Sequence, residues 1–367
     1  MKGNIRNFFP GGNTSLGFYS FYDYIISQDT ATRKICIKGG PGTGKSSLMK
    51  KIGTFFNDKG YDVEYHHCSS DNNSLDGVVI KGLDVAILDG TSPHVVDPQN
   101  PGAVDEILNM GQHWNEDGFK KYREDIIKTN KQIKSRFQRA YKFIGASKLI
   151  HDDWSNYNKT ALDRSKLAVL QEDLKNKILS NYEIASIGAE RHLFATAFTP
   201  NGIVTFIDSL YESSEKVYVL NGGPGTGKTQ ILKFILEEAI KRGFFVEVYH
   251  DPLIPERIEH IIIPDLKTAL VTSNEINQKK FIGTQIFMDN LLDYALVDKD
   301  EVQKDKDIFY KLLNEGLTVI ASAKKLHDDL EKYYIENMNF EEIDEAYDKL
   351  VNRLLKYEKE HEINKTI

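Results

Sequence analysis

Short apolar runs and longer stretches with helical spacing alternate along this chain. Runs at 33–38 and 216–221 are rich in β-branched and apolar residues, which predicts buried strands. Each leads into a stretch with helical spacing, at 46–58 and 229–242, that ends near a glycine. Further strands are predicted at 62–67, 85–88, 245–250 and 268–271. This alternation predicts an α/β fold with parallel sheets flanked by helices.

A long polar tract with helical spacing follows the strand-rich part of each half, at 120–180 and at 302–364. In the first tract, one apolar face of a single helix is predicted from Ile126, Ile133, Phe137, Tyr141 and Ile144. We therefore expect each α/β unit to be followed by a long helical tract.

An internal repeat organises the chain. The sequence GGPGTGKS at 39–46 returns as GGPGTGKT at 222–229, a shift of 183 residues, and the same shift carries His67 onto His250. Farther on, the pattern Lys-x-x-His-Asp-Asp at 148–153 returns at 324–329. A repeat held over this span predicts two similar domains. We expect domain 1 at 1–185, with its helical tract at 120–180, and domain 2 at 186–367, with its tract at 302–364.

Composition narrows the class of protein. The 367 residues are 40% hydrophobic and 28% charged, which is ordinary for globular domains, and the net charge is −7. An acidic balance argues against a general polyanion-binding protein. Two cysteines without CxxC spacing, no apolar run of roughly 20 residues and no apolar segment behind the first basic residues predict a cytoplasmic protein with no membrane contact.

The repeated glycine motif carries the chemistry. GxxxxGK[ST], placed between a strand and a helix, is the signature of a phosphate-binding loop. Its glycines let backbone N–H groups surround phosphate oxygens, and the helix N-terminus adds a favourable dipole. Lys45 would reach the β- and γ-phosphates while the hydroxyl of Ser46 holds Mg²⁺, and Lys228 and Thr229 repeat these roles. A glycine-rich turn without a ligand is the alternative, and two matches in the same context disfavour it.

The predicted cofactors are ATP and Mg²⁺. The residues predicted to bind the nucleotide are Gly40, Pro41, Gly42, Thr43, Gly44, Lys45, Ser46 and Ser47 in the first copy, and Gly223, Pro224, Gly225, Thr226, Gly227, Lys228, Thr229 and Gln230 in the second.

A magnesium site of this kind also needs a carboxylate at the end of a neighbouring strand. Asp89 follows the apolar run 85–88 and is the candidate, with Ser46 and Thr229 as the other metal ligands. The matching position in the second copy is Thr272, which offers no carboxylate. We therefore expect the second copy to bind nucleotide and turn it over poorly.

The residue after Asp89 is Gly90 rather than the glutamate that activates water in many related ATPases. Either another carboxylate polarises water, with Asp71 as the candidate, or the phosphoryl acceptor is not water. Lys45, Asp89 and Asp71 are thus the predicted catalytic residues. The loops at 67–71 and 89–94 follow strands and are candidates for acceptor or switch loops, although a hydrogen-bonded loop histidine is the simpler interpretation of His67 and of His94.

The helical tracts carry two further signals. The His-Asp-Asp motifs at 151–153 and 327–329 either contact the nucleotide domain through a helix surface or act as a lid near phosphate. Residues 120–148 have a net charge of +8, whereas the matching span 296–324 has −1. A solvated helix face is the usual meaning of such a run. A lid in which Arg136 and Arg139 clamp phosphate, and a contact with RNA, are the alternatives.

The two glycine motifs resemble those of P-loop NTPases. With Gly11-Gly12-Asn13-Thr14, Gly17-Phe18-Tyr19-Ser20, the segment 67–71 and Asp89-Gly90-Thr91, the whole pattern is similar to a family of tandem P-loop ATPases from Gram-positive bacteria. The resemblance covers nearly the full length and implies nucleotide binding.

The sequence thus predicts two tandem P-loop NTPase domains. The first copy would hydrolyse Mg-ATP, and the second would bind nucleotide in a regulatory role. One alternative is a small-molecule or nucleotide kinase with the basic tract 120–148 as its lid. Another is a non-catalytic nucleotide sensor that engages a protein or RNA partner.

Overall fold

A computed structural model describes residues 1–91 and 95–366, with side chains through residue 360. In chain order the strands are β1 (Ile5–Phe8), β2 (Gly11–Thr14), β3 (Gly17–Ser20), β4 (Arg33–Lys38), β5 (Val63–Cys68), β6 (Asp71–Ile80), β7 (Val85–Asp89), β8 (Asp105–Asn109), β9 (Glu190–Leu193), β10 (Thr196–Thr199), β11 (Gly202–Thr205), β12 (Lys216–Asn221), β13 (Val246–His250), β14 (Ile258–Ile263), β15 (Thr268–Ser273) and β16 (Thr284–Phe287). The α-helices are α1 (Lys45–Asp58), α2 (Glu116–Phe119), α3 (Arg123–Ala161), α4 (Arg164–Leu179), α5 (Ile207–Tyr211), α6 (Lys228–Ile240), α7 (Lys299–Ile335) and α8 (Phe340–Thr366).

The predicted strands and helices around both glycine motifs are confirmed to within two residues, and each helical tract is present as a pair of long helices. Within the described residues the strands form two six-stranded sheets, in the orders β1-β5-β6-β7-β4-β8 and β16-β12-β15-β14-β13-β9, and two small hairpins, β2-β3 and β10-β11. The mixed α/β class and its two copies are therefore confirmed.

The alternation of strands and helices predicted parallel sheets, and this prediction is wrong, because both sheets contain antiparallel pairs. The strand β6 runs antiparallel to both β5 and β7, and β14 runs antiparallel to both β13 and β15. Only short connections without a helix join β5 to β6 and β13 to β14. A parallel crossover needs a dozen or more residues, so these connections require antiparallel neighbours.

The compact units do not follow the predicted boundary near residue 185. One unit comprises residues 1–10, 20–137 and 320–367, and the other comprises 11–19 and 138–319. The first sheet therefore shares its unit with the end of α7 and with α8, and the second sheet shares its unit with the end of α3 and with α4. The predicted domains 1–185 and 186–367 differ from these units in the helical tracts, because residues 138–180 of the first tract lie in the unit of the second sheet and residues 320–364 of the second tract lie in the unit of the first sheet. Helical spacing shows that a tract has an apolar face, but not which sheet that face meets.

The core of the unit with the first sheet joins strands to α1 and α8. Ile35 and Ile37 of β4 pack in one cluster with Ile52 of α1 and with Leu350 and Leu354 of α8, all at most 5% exposed. Burial of such side chains is worth about 1.5–3 kcal/mol each, so α8 is held on this sheet by its apolar face.

The unit with the second sheet has the matching arrangement. Leu220 of β12 and Ile261 of β14 cluster with Ile235 of α6 and with Leu174 and Ile178 of α4. The helix α4 thus takes the place on the second sheet that α8 takes on the first. None of the helices in the described part of the chain has the length and apolar character that crossing a membrane requires.

Candidate functional site

Two glycine loops connect a central strand to a helix, residues 39–46 between β4 and α1 (the first glycine loop) and residues 222–229 between β12 and α6 (the second glycine loop). Gly44 and Gly227 cap the two helices with φ of 86° and 96°. This left-handed backbone favours glycine, because other residues meet a steric penalty there. The hydroxyl of Thr43 donates to the carbonyl of Gly40 at 2.9 Å, and Thr226 repeats this bond in the second loop.

A lysine lies inside each loop. The Nζ of Lys45 donates to the carbonyl oxygens of Gly39 and Gly40 at 3.0 and 2.7 Å. The Nζ of Lys228 donates to the matching carbonyls of Gly222 and Gly223, both at 2.5 Å. Both ammonium groups are therefore positioned at the N-terminus of a helix, where the backbone N–H groups also point.

Asp89 lies beside the first glycine loop. It ends β7, which runs parallel to β4 with Ile37 opposite Asp89. Its Oδ2 is 3.6 Å from the Nζ of Lys45, and its Oδ1 accepts from the backbone N–H of Thr91 at 2.9 Å. The structure thus brings together two of the predicted catalytic residues, Lys45 and Asp89.

A second carboxylate at this position was missed by the sequence analysis. Gly77 of β6 lies opposite Leu88 of β7, so the next step of the same antiparallel ladder places Asp76 beside Asp89. Burial raises the pKa of Tyr22 well above its ordinary value, and the charges of Asp76 and Asp89 raise it further. A signal was present in the repeat, because the 183-residue shift carries Asp76 onto Glu259, an acid in both copies.

Asp71 is the first residue of β6, and Ser46 contacts the same strand. The hydroxyl of Ser46 accepts from the N–H of Leu75 at 3.0 Å. The carboxylate of Asp71 accepts from the hydroxyl of Ser74 at 2.7 Å and pairs with the Nζ of Lys324 at 3.3 Å. Lys324 belongs to the second Lys-x-x-His-Asp-Asp motif, on α7. This motif therefore contacts the first sheet, although it follows the second sheet in the sequence.

The two repeat-matched histidines lie at the ends of β5 and β13 rather than in loops, and both are hydrogen-bonded. His67 contacts the carbonyl of Asn72 at 3.1 Å and the side chain of Asn7 at 2.9 Å. Burial lowers the pKa of His67 to about 4, and burial with the neighbouring His192 lowers that of His250 to about 3. The hydrogen bonds of His67 agree with the simpler interpretation of this residue.

Cys68, the last residue of β5, gives no support for a reactive group. Burial raises the pKa of the Cys68 thiol well above its usual range, which disfavours the nucleophilic thiolate. His94 falls at 92–94, outside the described residues.

A cavity of about 250 Å³ opens at the second glycine loop. Residues 224–230 of the loop and of α6 form one wall, and His151, Ser155 and Lys159 of α3 form another. The His-Asp-Asp motif at 151–153 therefore contributes to this cavity from a helix that the chain reaches before the second sheet begins.

Thr272 occupies the register position that Asp89 has in the first copy, opposite Leu220 as Asp89 is opposite Ile37, but the cavity is not without carboxylates. Asp251, Glu259 and Glu275 also line it. The sequence analysis considered only the position of Thr272 and did not find these three acids, which come from other parts of the second unit. Burial, with the charge of Asp251, raises the pKa of Glu259 to about 8, although the amide of Asn274 donates to it at 3.0 Å.

A buried charge network joins this cavity to α3. The Nε2 of His151 lies 2.6 Å from the Oε1 of Glu275, and both side chains are at most 2% exposed. The guanidinium of Arg257 lies 2.5 Å from Asp251 and 3.3 Å from the same oxygen of Glu275. Burial by itself would raise the pKa of Glu275, but the hydrogen bond and charge of His151, with Lys228 and Arg257, hold it well below its usual range.

The lysine of the second loop responds to the same surroundings. Burial and, to a smaller extent, the charge of Arg257 lower the pKa of Lys228 to about 8, against the opposing charge of Glu275. Two cationic side chains, Lys228 and Arg257, thus line the same cavity as the carboxylates of Asp251, Glu259 and Glu275.

The C-terminal parts of α3 and α7 are in close contact with the second and the first glycine loop, respectively. A Cβ built on Gly225 would lie 2.1 Å from the carbonyl oxygen of Ser155 in α3, so only glycine fits there. In the first loop, a Cβ on Gly40 would lie 2.3 Å from the ring of Tyr334 in α7. Both His-Asp-Asp motifs therefore lie on helices that contact a glycine loop, the outcome that either interpretation of the motifs requires.

The second of these motifs also groups possible metal ligands. His327, Asp328 and Glu331 each place a ligand-type atom within 4.8 Å of the others. Lys324 already pairs with Asp328, and His327 lies 3.5 Å from Glu331 along the same helix. This group is explained by helix-surface ion pairs.

The basic tract does not supply arginines to the cavity. Arg136 and Arg139 are both exposed on α3, and Arg139 stacks over Phe143 at 5.3 Å from the ring centre. Neither lines the cavity at the second loop. Their positions match a solvated helix face.

Comparison with protein-family models, with curated proteins and with solved structures gives no match for this chain. The two copies within the chain therefore serve as the comparison for each other. They share the glycine loop, the contacts of its lysine and an acid on the neighbouring antiparallel strand, and they differ in the residue that ends the next strand.

Proposed function

We propose that this protein is an ATP-binding NTPase that hydrolyses Mg-ATP mainly at the first glycine loop and binds nucleotide in a regulatory role at the second. The observation that carries the proposal is the position of Lys45, inside a glycine loop at a helix N-terminus and 3.6 Å from the carboxylate of Asp89. This combination of groups suits phosphoryl transfer, in which catalysis consists of positioning and charge stabilisation.

Phosphate binding is supported in both loops by the same local geometry. The left-handed glycines turn the backbone sharply before the helix, and the first N–H groups of α1 and α6 lack partners within the helix. Phosphate oxygens satisfy such groups and gain from the helix dipole. Lys45 and Lys228 would exchange their carbonyl contacts for the β- and γ-phosphates.

The oxygen ligands that magnesium prefers are present at the first loop. Ser46 at the start of α1 and Asp89 at the end of β7 would hold the ion, and Asp76 is a further carboxylate beside Asp89. Bound Mg²⁺ would neutralise the charge that develops on the phosphates. Thr229 would hold the ion at the second loop, where Thr272 provides no carboxylate.

The residue that orients water must come from another part of the first site, because Gly90 follows Asp89. We propose Asp71 for this role, since Lys324 and Ser74 fix its carboxylate at the start of β6, the strand in which Leu75 donates to Ser46. Asp76 is the second candidate because it lies deeper, beside Asp89.

The regulatory role of the second loop is supported by its charge. With a pKa of about 8, Glu259 carries a proton at neutral pH, which makes it a weaker metal ligand than Asp89 in the first copy. The cations Lys228 and Arg257 remain available to bind phosphate. Tight binding with slow turnover is the behaviour that this set of groups favours.

Measuring phosphate release from Mg-ATP by the Lys45→Ala variant tests the proposal. We expect a loss of about 10²–10³-fold, the range for removing one group that stabilises transition-state charge. Lys175→Ala, which changes a lysine on α4, is the control and should be neutral. Full turnover by Lys45→Ala would refute the site, and release only with an added acceptor would identify a kinase instead.

A further inference from the structure

Arg257 is held at the edge of the second cavity by a single carboxylate oxygen. Its Nε and Nη2 both donate to the Oδ2 of Asp251, at 3.1 and 2.5 Å. The other oxygen of Asp251 accepts from the N–H groups of Leu253 and Ile254, both at 2.9 Å, which fixes the carboxylate to its own loop. Asp251 thus orients the guanidinium without using all of its donors.

The remaining donors of Arg257 face groups that a ligand can replace. Nη2 also lies 3.3 Å from the Oε1 of Glu275, and Nη1 lies 3.4 Å from the Nε2 of His151. Both distances are longer than those of good charge-assisted hydrogen bonds, which are about 2.7–2.9 Å. A phosphate group entering the cavity would offer Arg257 shorter and stronger contacts than these.

We propose that Arg257 distinguishes a nucleoside triphosphate from a diphosphate at the second glycine loop, and that Glu275 passes the difference to His151 on α3. The inference rests on the proposed function, because it assumes that the second loop binds a nucleotide. It adds a means by which the regulatory copy senses the terminal phosphate.

The electrostatics of the cavity give the reason for this selectivity. Lys228 would contact the β- and γ-phosphates next to the loop, and Arg257 would add a second cation for the extra charge that a triphosphate carries. Lys159 also lines the cavity, but Arg257 is the cation that Asp251 fixes in place, and its charge contributes to the lowered pKa of Lys228. The planar guanidinium can bind the terminal phosphate through two donors while Asp251 still holds its other edge.

The step from Arg257 to α3 follows from a shared oxygen. The Oε1 of Glu275 contacts both Arg257 and His151, whereas its Oε2 is buried without a hydrogen-bond partner, as is the Nδ1 of His151. When the terminal phosphate binds Arg257, Glu275 loses its contact with the guanidinium and keeps its hydrogen bond to His151. The negative charge of the phosphate then also lies near the carboxylate of Glu275. The bond between Glu275 and His151 must then change, and with it the surroundings of the helix.

A natural probe lies beside this bond. Trp154 on α3 has its ring centre 6.4 Å from that of His151. A Cβ on Gly223 would lie 3.6 Å from the same indole, so Trp154 touches the glycine loop as well. The chain has two tryptophans, and replacing Trp114 with phenylalanine leaves Trp154 as the single reporter.

The first copy has no arginine at the position that matches Arg257. The 183-residue shift places Ser74 where the second copy has Arg257, and Ser74 donates to Asp71 instead. Sensing by a guanidinium is therefore a property of the second loop, and it can be measured separately from turnover at the first.

The experiment uses the full chain with Trp114→Phe, and with Lys45→Ala to weaken the first loop. Affinities for ADP and for a non-hydrolysable ATP analogue in Mg²⁺ are measured by calorimetry, and Trp154 emission is recorded with each. Without further change, we expect the analogue to bind at least tenfold more tightly than ADP and to give a different emission. Arg257→Gln should weaken the analogue by about tenfold, the range for one charged hydrogen-bonding group, and leave ADP within about twofold.

The relay is tested by Glu275→Gln and His151→Gln. Both variants should keep the preference for the analogue, and both should lose the difference in Trp154 emission between the analogue and ADP. Arg164→Gln, an exposed arginine of the same unit, is the matched control and should change neither quantity. Arg257→Lys, which keeps the charge and loses the planar fork, should give a partial loss of selectivity and guards against a folding defect in Arg257→Gln.

The outcomes separate this inference from the proposed function. Equal weakening of both nucleotides by Arg257→Gln would overturn the sensing role, and equal Trp154 emission with both nucleotides would overturn the relay. Absence of any binding that depends on Lys228 would refute nucleotide binding at the second loop, and the inference would fall with it.

Discussion

The two glycine loops differ in what surrounds them rather than in the loops themselves. Each holds its lysine on two backbone carbonyls and caps its helix with a left-handed glycine. Around the first loop the charged partner of the lysine is Asp89, at the end of the next parallel strand. Around the second, that position is Thr272, and the charges come from Asp251, Arg257 and Glu275. A repeated motif thus specifies the glycine loop and the position of its lysine, while the neighbouring strands specify the charged groups around it.

The helices that cover the loops extend this comparison. The end of α7 and the start of α8 contact the first loop, and the end of α3 and the start of α4 contact the second. Because each loop is covered by the helical tract of the other copy in sequence, a change in either tract should act on the site that is distant along the chain.

The largest expected effect concerns the acids. Asp89→Asn should lower steady-state phosphate release by about 10²–10³-fold, because it removes a charged group beside the reacting phosphates. Lys228→Ala should leave most of the basal turnover. If Lys228→Ala proved more damaging than Asp89→Asn, the second loop would be the main catalytic site and our assignment of roles would be reversed.

The next prediction tests the exchange of helical tracts with a matched pair. Leu354→Ala in α8 and Leu174→Ala in α4 each empty a fully buried position, at a cost of about 3 kcal/mol in the free energy of unfolding. Hydrogen exchange should show that Leu354→Ala loosens β4 and α1, and that Leu174→Ala loosens β12 and α6. The opposite assignment would support the consecutive domains 1–185 and 186–367.

A smaller effect is expected from pH at the second loop. The pKa of Lys228 is lowered to about 8, so above this pH its amine is mostly neutral and must take up a proton to bind a phosphate anion. Over the same range Glu259, with a pKa of about 8, gains negative charge that repels the ligand. Affinity should therefore fall as pH rises through 8, by about tenfold from pH 7 to pH 9 for one linked proton.

Calorimetry in buffers of different ionisation enthalpy measures that proton directly, in the Lys45→Ala background. Glu259→Gln should remove part of the pH dependence and keep the part due to Lys228. An affinity that does not change between pH 7 and pH 9 would contradict the burial of both groups.

The smallest effect is expected from the basic tract. Because Arg136 and Arg139 are exposed, their joint replacement by glutamine should change turnover and stability little, within about 0.5 kcal/mol. A fall in kcat with unchanged nucleotide affinity would instead support the lid, since lid contacts form in the closed state. Loss of salt-dependent RNA binding would support a nucleic-acid contact.

Much of the first site was readable from the sequence, because its parts are local. The order of strand, glycine loop and helix is encoded within 39–46 and its neighbours, and Asp89 was found because an acid after an apolar run ends a strand next to the loop. Asp76 was missed because its position beside Asp89 depends on the antiparallel pairing of β6 with β7, which the sequence analysis did not predict. The repeat does match Asp76 to Glu259, another acid. The mixed sheet was missed because the alternation of strands and helices was interpreted as a parallel sheet, and β6 and β14 were not among the predicted strands.

The sequence by itself determined the repeat, the two glycine loops, the lysines they enclose and the extent of the long helices, because these depend on periodicity and on short-range backbone geometry. Only the tertiary structure decided which sheet each helical tract covers and which side chains meet at the second cavity. Arg257, Glu275 and His151 come from separate elements, and His151 is 124 residues from Glu275 in the chain. Such partners are selected by the packing of apolar faces such as those of α4 and α8, which is the sum of many distant contacts and leaves no local pattern.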